Sequence, residues 1–323
     1  LFSSVAAILF LNSQNRRSRI FQAGTFASLI NILTIAALML LPNGQYSGIE
    51  YGYYLITALV SGVISAVLTV GVLPFFEASF GILSTIRLIE LSNPNHPLLR
   101  KILMEAPGTY HHSVMVANLA ESACEAIGAN GLLARVGSYY HDIGKTKRPN
   151  FFIENQINHE NPHDKLPPDK SATIIIAHVL DGAEILRKYH MPKEIIDIAE
   201  QHHGTTLLKF FYHKALQGES TMKEEEFRYP GPKAQTKESA IVGIADSLEA
   251  AVRSLSQPTP ELIDTFVKKI VTERLEDGQL NECDITMKEI ETVSHTLCET
   301  LKGIFHSRIE YPELTNTKQV KQA

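Results

Sequence analysis

The 323-residue sequence predicts an all-α fold, a helical bundle domain preceded by transmembrane helices. Three observations predict it. From Ile20 to Phe76 the one formal charge is Glu50, so two long stretches there have nothing to solvate outside a bilayer. Beyond Pro97, window after window carries apolar residues at helical spacing. No stretch alternates as a half-buried strand would, and no internal repeat is present.

Residues 1–76 form the apolar region. Phe21–Leu41 and Tyr53–Phe76 are each long enough to span a bilayer as a helix, which takes ~20 residues. Between them Pro42-Asn43-Gly44-Gln45-Tyr46-Ser47-Gly48 reads as a polar turn. Tyr46, Tyr51, Tyr53 and Tyr54 cluster there as an interfacial aromatic belt would. Leu1–Leu11 reads as the end of a further, truncated span, and the chain as a fragment of a longer protein. Arg16, Arg17 and Arg19 follow it, and the positive-inside rule places that basic stretch in the cytoplasm. The chain then crosses outward and returns, so everything after Phe76 is expected on the cytoplasmic side of a cell membrane.

Residues 77–97 read as a connector. Ile82, Leu83, Ile86 and Ile89 give Glu77–Leu91 an apolar stripe, and Asn93-Pro94-Asn95-His96-Pro97 breaks it. A signal-transmitting helix and a plain spacer fit equally. Helices are then expected over Ser113–Ile127, Gly131–His141, Ala172–Tyr189, from Pro192 to a stop at Gly204, and over Ser239–Leu255, Glu261–Leu275 and Met287–Ile304. Gln217–Glu238 is polar and turn-rich, and reads either as a functional loop or as a solvated insertion. The tail 315–323 is expected to be disordered, which leaves 98–314 as the soluble domain.

Net charge is −5, and the acidic excess lies in the soluble region. An acidic domain is not an electrostatic partner for a nucleic-acid polymer. An anionic substrate would need a local positive centre, which metal ions supply. Cys124, Cys283 and Cys298 are far apart and odd in number, as free thiols in a reducing compartment would be.

The chemistry sits in the histidines. His112, then His141-Asp142, then His178, then His202-His203, then Asp246 fall on or at the ends of expected helices. Helices fix side-chain directions, so such donors can converge inside a bundle. One of them alone would be read as structural. Together, five imidazoles and two carboxylates suffice for two metal ions sharing a bridging Asp. The nitrogen-rich mix argues against magnesium or calcium and for iron, manganese or another transition metal.

The runs Pro107-Gly108-Thr109-Tyr110-His111-His112-Ser113, His141-Asp142-Ile143-Gly144-Lys145, Ala177-His178-Val179, Gln201-His202-His203-Gly204 and Ala245-Asp246-Ser247 resemble the HD phosphohydrolase superfamily. More closely they resemble the HD domain of seven-transmembrane-receptor HD proteins, the PgpH-type cyclic di-AMP phosphodiesterases. The resemblance covers nearly the whole chain, and every ligand position of the family is filled. It implies one metal on His112, His141, Asp142 and Asp246, and a second on Asp142, His178, His202 and His203. Asp142 bridges, and His111 is passed over because the family ligand directly precedes Ser113. It also implies hydrolysis of cyclic di-AMP to linear pApA by a two-metal-activated hydroxide, and a sensor region outside the cell that precedes this chain. Lys145, three residues after Asp142, reads either as a group that stabilises phosphate or orients the site, or as a surface lysine.

Cyclic di-GMP phosphodiesterases of the HD-GYP type share the paired histidines but require Gly-Tyr-Pro after them. Here Gly204-Thr205-Thr206-Leu207-Leu208 follows His203. Another nucleotide phosphohydrolase, a di-iron oxygenase and a membrane receptor whose domain only binds a nucleotide are the remaining rivals. The sequence leaves a homo-oligomer open.

Overall fold

The computed structural model describes residues 2–11, 17–40, 47–156, 161–217, 223–255 and 257–305. The tail 315–323, Arg16 and most of the turn 42–48 lie outside these. The chain divides into two compact units, Leu1–Arg100 with Tyr189–Glu194, and Lys101–Lys188 with Ile195–Ala323.

In the first unit, α1 (Phe2–Leu11), α2 (Arg17–Met39) and α3 (Gly48–Phe80) are followed by α4 (Thr85–Leu91) and the first residues of α5 (Pro97–Glu105). Both expected spans are helical. Ser47 and Glu50 form a capping box that starts α3. Helices α2 and α3 pack through small residues. A Cβ on Gly62 would meet Ser28 Oγ at 1.9 Å, and one on Gly24 would meet Ala66 Cβ at 2.7 Å. Ala23, Ser28, Ala58 and Ala66 are buried between the helices, whereas Leu29, Leu33, Ile56, Val63, Val67 and Phe75 point outward and are exposed. Small residues inside and large apolar ones outside reverse the arrangement of a water-soluble hairpin, and suit a lipid surround. The stretches Ile20–Met39 and Gly48–Glu77 are long and apolar enough to cross a membrane.

The connector is not the continuous helix that its apolar stripe suggests. Helix α3 runs on to Phe80 and ends at Gly81, whose φ of 63° closes the helix with its N–H donating to the Glu77 carbonyl. Ser84 then caps α4 anew through Arg87 N. Helix α5 begins at Pro97, where the sequence predicts a break, because a proline also fits the first position of a helix.

In the second unit, α6 (Pro107–Ala126) and α7 (Gly131–Tyr140) lead into short 3-10 turns between Ile143 and Lys165. Helices α8 (Pro168–Lys188), α9 (Lys193–Gln201), α10 (Lys209–Leu216), α11 (Lys237–Arg253), α12 (Pro260–Glu276) and α13 (Met287–Ile304) follow, α9 entering the unit at Ile195. Helix α11 is the centre of the bundle and is buried on nearly every side. Its Ile241, Ile244, Ala245 and Leu248 join Val116, Leu119 and Ala120 of α6 and Val293 and Leu297 of α13 in one apolar core. Its polar exceptions, Asp246 and Glu249, are buried as well. Asn130, Thr236, Thr259 and Thr286 cap α7, α11, α12 and α13.

Two details differ from the sequence reading. Helix α6 starts at Pro107, so His112 lies in its second turn rather than at its beginning. Helix α9 stops at Gln201, so His202 and His203 lie just beyond it, and Gly204, with φ 55°, turns the chain away.

Candidate metal centre

The structure brings all of the expected donors into one buried place. His112, His141, Asp142 and Asp246 form one group, and His178, His202 and His203 another; within each, the donor atoms lie within 4.8 Å of one another. Asp142 stands between the groups. Its Oδ2 is 3.2 Å from His141 Nε2 and 3.6 Å from His112 Nε2, while its Oδ1 is 3.2 Å from His178 Nε2 and 3.8 Å from His202 Nε2. Asp246 Oδ1 lies 2.9 Å from His112 Nε2, and its Oδ2 lies 3.7 Å from His203 Nδ1. His111, by contrast, is exposed.

Each donor is placed by its own stretch of chain. His141 caps the C-terminal end of α7 and Asp142 opens the first 3-10 turn. Gly144 lets this turn lie against α8, since a Cβ there would stand 1.9 Å from the His178 carbonyl oxygen. Gly243 does the same for α11 against the end of α9, with the His202 carbonyl oxygen 2.1 Å from its absent Cβ. Arg274 of α12 pins that contact, donating to the carbonyls of His202 at 3.3 Å and Gly243 at 2.7 Å and to Ser247 Oγ at 2.8 Å.

The donor atoms fit cations. Nε2 of His141, His178 and His202 and Oδ1 of Asp142 are buried without a hydrogen-bond partner, and Oδ2 of Asp142 is buried against Lys145 Nζ. Each such atom costs about 1–3 kcal/mol unless something satisfies it. Burial and the His141 charge together push His202 down to about 3, so it is a neutral donor. Burial opposes charge on His141 too, but the carboxylates of Asp142 and Asp246 outweigh it and push that ring up to about 10. Carboxylates that hold a proton so firmly would equally hold a metal ion. A buried His and Asp cluster of this composition is a divalent-metal type of site.

Lys145 is not a surface lysine. Its Nζ is 2.7 Å from Asp142 Oδ2 and 3.0 Å from Glu154 Oε1, and it lies over the Phe152 ring. Glu154 in turn accepts from Thr109 Oγ1 at 3.0 Å, and Asn155 Oδ1 accepts from Thr109 N at 3.1 Å. This knot ties the start of α6 to the loop after Asp142. The 217–238 segment also reaches the site. Tyr229 is buried, and its ring stacks on His203 with centroids 4.2 Å apart. Residues 224–229 are thus packed structure rather than a solvated insertion, and 218–222 lie outside the described residues. The sequence reading missed Glu249, Glu154, Arg274 and Tyr229. Glu249 alone left a signal, one helical turn beyond Asp246 on the same face.

An all-helical frame whose buried His and Asp donors follow this order defines an HD-domain protein. The HD domain model matches residues 109–251, and the model for a 7TM receptor with intracellular HD hydrolase matches residues 1–84. The cyclic-di-AMP phosphodiesterase PgpH of Bacillus subtilis (strain 168) is 62% identical over 321 residues, 99% of this chain and 45% of that protein. Its namesake in Listeria monocytogenes serotype 1/2a (strain 10403S) is 53% identical over 313 residues, 97% of this chain and 44% of that protein. The chain spans somewhat under half the length of these relatives. The crystal structure of the L. monocytogenes phosphodiesterase PgpH HD domain in complex with cyclic-di-AMP matches with a TM-score of 0.65 and 60% identity, covering 66% of this chain and 100% of that one. The chain belongs to the PgpH-type family of seven-transmembrane-receptor HD proteins.

Proposed function

We infer that this chain is the membrane-proximal and catalytic part of a metal-dependent phosphodiesterase that opens cyclic di-AMP to linear pApA. One observation carries the reading: the two buried oxygens of Asp142 face two different histidine groups. In this reading His112, His141, Asp142 and Asp246 hold one cation and Asp142, His178, His202 and His203 a second. The nitrogen-rich donors favour iron or manganese over magnesium and calcium. A bound cation pair supplies Lewis acidity toward phosphate and a nucleophile at neutral pH.

The chain's own residues do the positioning. Asp142 fixes the distance between the two groups. Lys145, held between Asp142 and Glu154, orients that carboxylate and places an ammonium beside the reacting phosphate. Tyr229 keeps His203 in place by stacking on its ring. The substrate class is supported by the relatives' names and by the nucleotide bound to the related HD domain. Arg16, Arg17 and Arg19, next to the first span, support a multi-pass arrangement with the donor set on the cytoplasmic side.

The test uses the whole chain purified in detergent, loaded with manganese or ferrous iron, and given cyclic di-AMP and cyclic di-GMP in parallel. Formation of pApA, with cyclic di-GMP cleaved much more slowly, is expected. Tight binding without product would favour a receptor, and faster cleavage of cyclic di-GMP would reassign the substrate.

A further inference from the structure

Three of the donor histidines fix their rings in the same way. Nδ1 of His141 faces the Ser138 carbonyl, that of His178 the Ile175 carbonyl and that of His202 the Ala199 carbonyl, each three residues back along the chain. A carbonyl only accepts, so Nδ1 carries the proton and Nε2 is left free to bind a cation. His112 departs from this pattern. Its Nδ1 faces Glu249 Oε2, a carboxylate on another helix. Its Nε2 faces Asp246 Oδ1 at 2.9 Å. Asp246 and Glu249 are one turn apart on α11, so a single helix face brackets both nitrogens of the ring. Glu249 is 2% exposed, and its other oxygen, Oε1, accepts from Arg253, which also reaches His111 Nδ1 at 3.4 Å.

We propose that Glu249 is a positioning residue for the first donor group, accepting the Nδ1–H hydrogen bond of His112, fixing its tautomer and making it a stronger donor than the other imidazoles. A carboxylate behind a ligand histidine raises the basicity of the metal-facing nitrogen, which a neutral carbonyl does more weakly. Arg253 locks Glu249 in the rotamer that does this. The two donor groups are therefore unequal. Asp142 and Asp246 reach imidazoles of both, but the first has the Glu249 carboxylate behind His112, whereas the second has neutral carbonyls behind His178 and His202. The cation on the first group is held more tightly.

The inference rests on the two-cation reading but not on the identity of the nucleotide. Its test counts manganese per chain, and measures its affinity, in the full chain in detergent and in Glu249→Ala and Glu249→Gln, with helix content followed by circular dichroism. The expected result is a selective loss: one of two manganese ions bound about 10- to 100-fold more weakly in Glu249→Ala, the other unchanged. Glu249→Gln keeps an acceptor oxygen but not the charge, and should keep the tautomer while recovering only part of the affinity. Nitrogen-15 spectra of the histidines should show the His112 Nδ1–H tautomer kept in Glu249→Gln. Wild-type affinity at both ions in Glu249→Ala would overturn the proposal, as would equal weakening of both. Should Glu249→Ala not fold, a mixed His112 tautomer in folded Glu249→Gln would overturn it instead. A wild-type chain that binds two ions yet cleaves no cyclic dinucleotide would defeat the functional reading and leave this one standing.

Discussion

A Cβ on Gly144 would stand 1.9 Å from the carbonyl oxygen of His178 and 2.6 Å from the amide nitrogen of Gly182. The turn that carries Asp142 therefore touches the helix that carries His178 backbone to backbone. Gly144→Ala must push them apart and should cost about 1–3 kcal/mol or more, as overpacking does. Gly182→Ala is the control, because its nearest contact is Gly144 N at 3.3 Å. Thermal unfolding by circular dichroism, with manganese counted in the folded protein, should show a large loss for the first variant and a small one for the second.

Asp142→Asn removes the charge that faces both histidine groups and keeps the shape. Affinity for both ions should fall by more than the about 10- to 100-fold that a change behind a ligand costs. Hydrolysis should fall with it. Retention of two manganese ions at wild-type affinity would mean that Asp142 does not bridge.

Tyr229 meets His203 by stacking, with the planes 27° apart. Such a contact is worth about 0.5–1.5 kcal/mol beyond burial, so Tyr229→Ala should weaken the ion on the second group by up to about tenfold. Tyr229→Phe keeps the ring and should bind as the wild type does. Titration with manganese checks both.

Glu289 closes the capping box of α13 with Thr286 and pairs with Lys237 at 2.6 Å. The Lys237 hydrogen bond and those from Thr286 bring its carboxyl down to about 2 from an ordinary 4.5. A lowered folded-state value means that the stabilisation is fully present above pH 4.5 and is lost as the pH falls through about 2. Glu289→Gln should therefore lower the melting temperature at pH 7, and the gap to wild type should narrow as the pH drops from 4.5 toward 3. A gap independent of pH would show that the capping geometry alone stabilises the helix.

Much of the fold was legible because helices write themselves locally. Met287–Ile304 was read with its observed limits, since Thr286 and Glu289 mark its start and its apolar stripe is regular. The connector was misread for the converse reason. A single left-handed Gly81 outweighs an apolar stripe that continues across it. The 3-10 turns after Asp142 carry no period long enough to read, and neither does the short α10.

The sequence by itself determined the candidate donors. His112, His141, Asp142, His178, His202, His203 and Asp246 have types and an order that point to metal chemistry, and the two apolar stretches are long enough to span a membrane. Only the tertiary structure decided which oxygen of Asp142 faces which histidines, that Lys145 lies inside, and that Glu249, Arg274 and Tyr229 support the site. Those relations join residues as far apart as His112 and Glu249, on helices brought together by the apolar core around α11. Side-chain type is local information. The partner of a buried polar group is set by packing between distant segments, which no local pattern records.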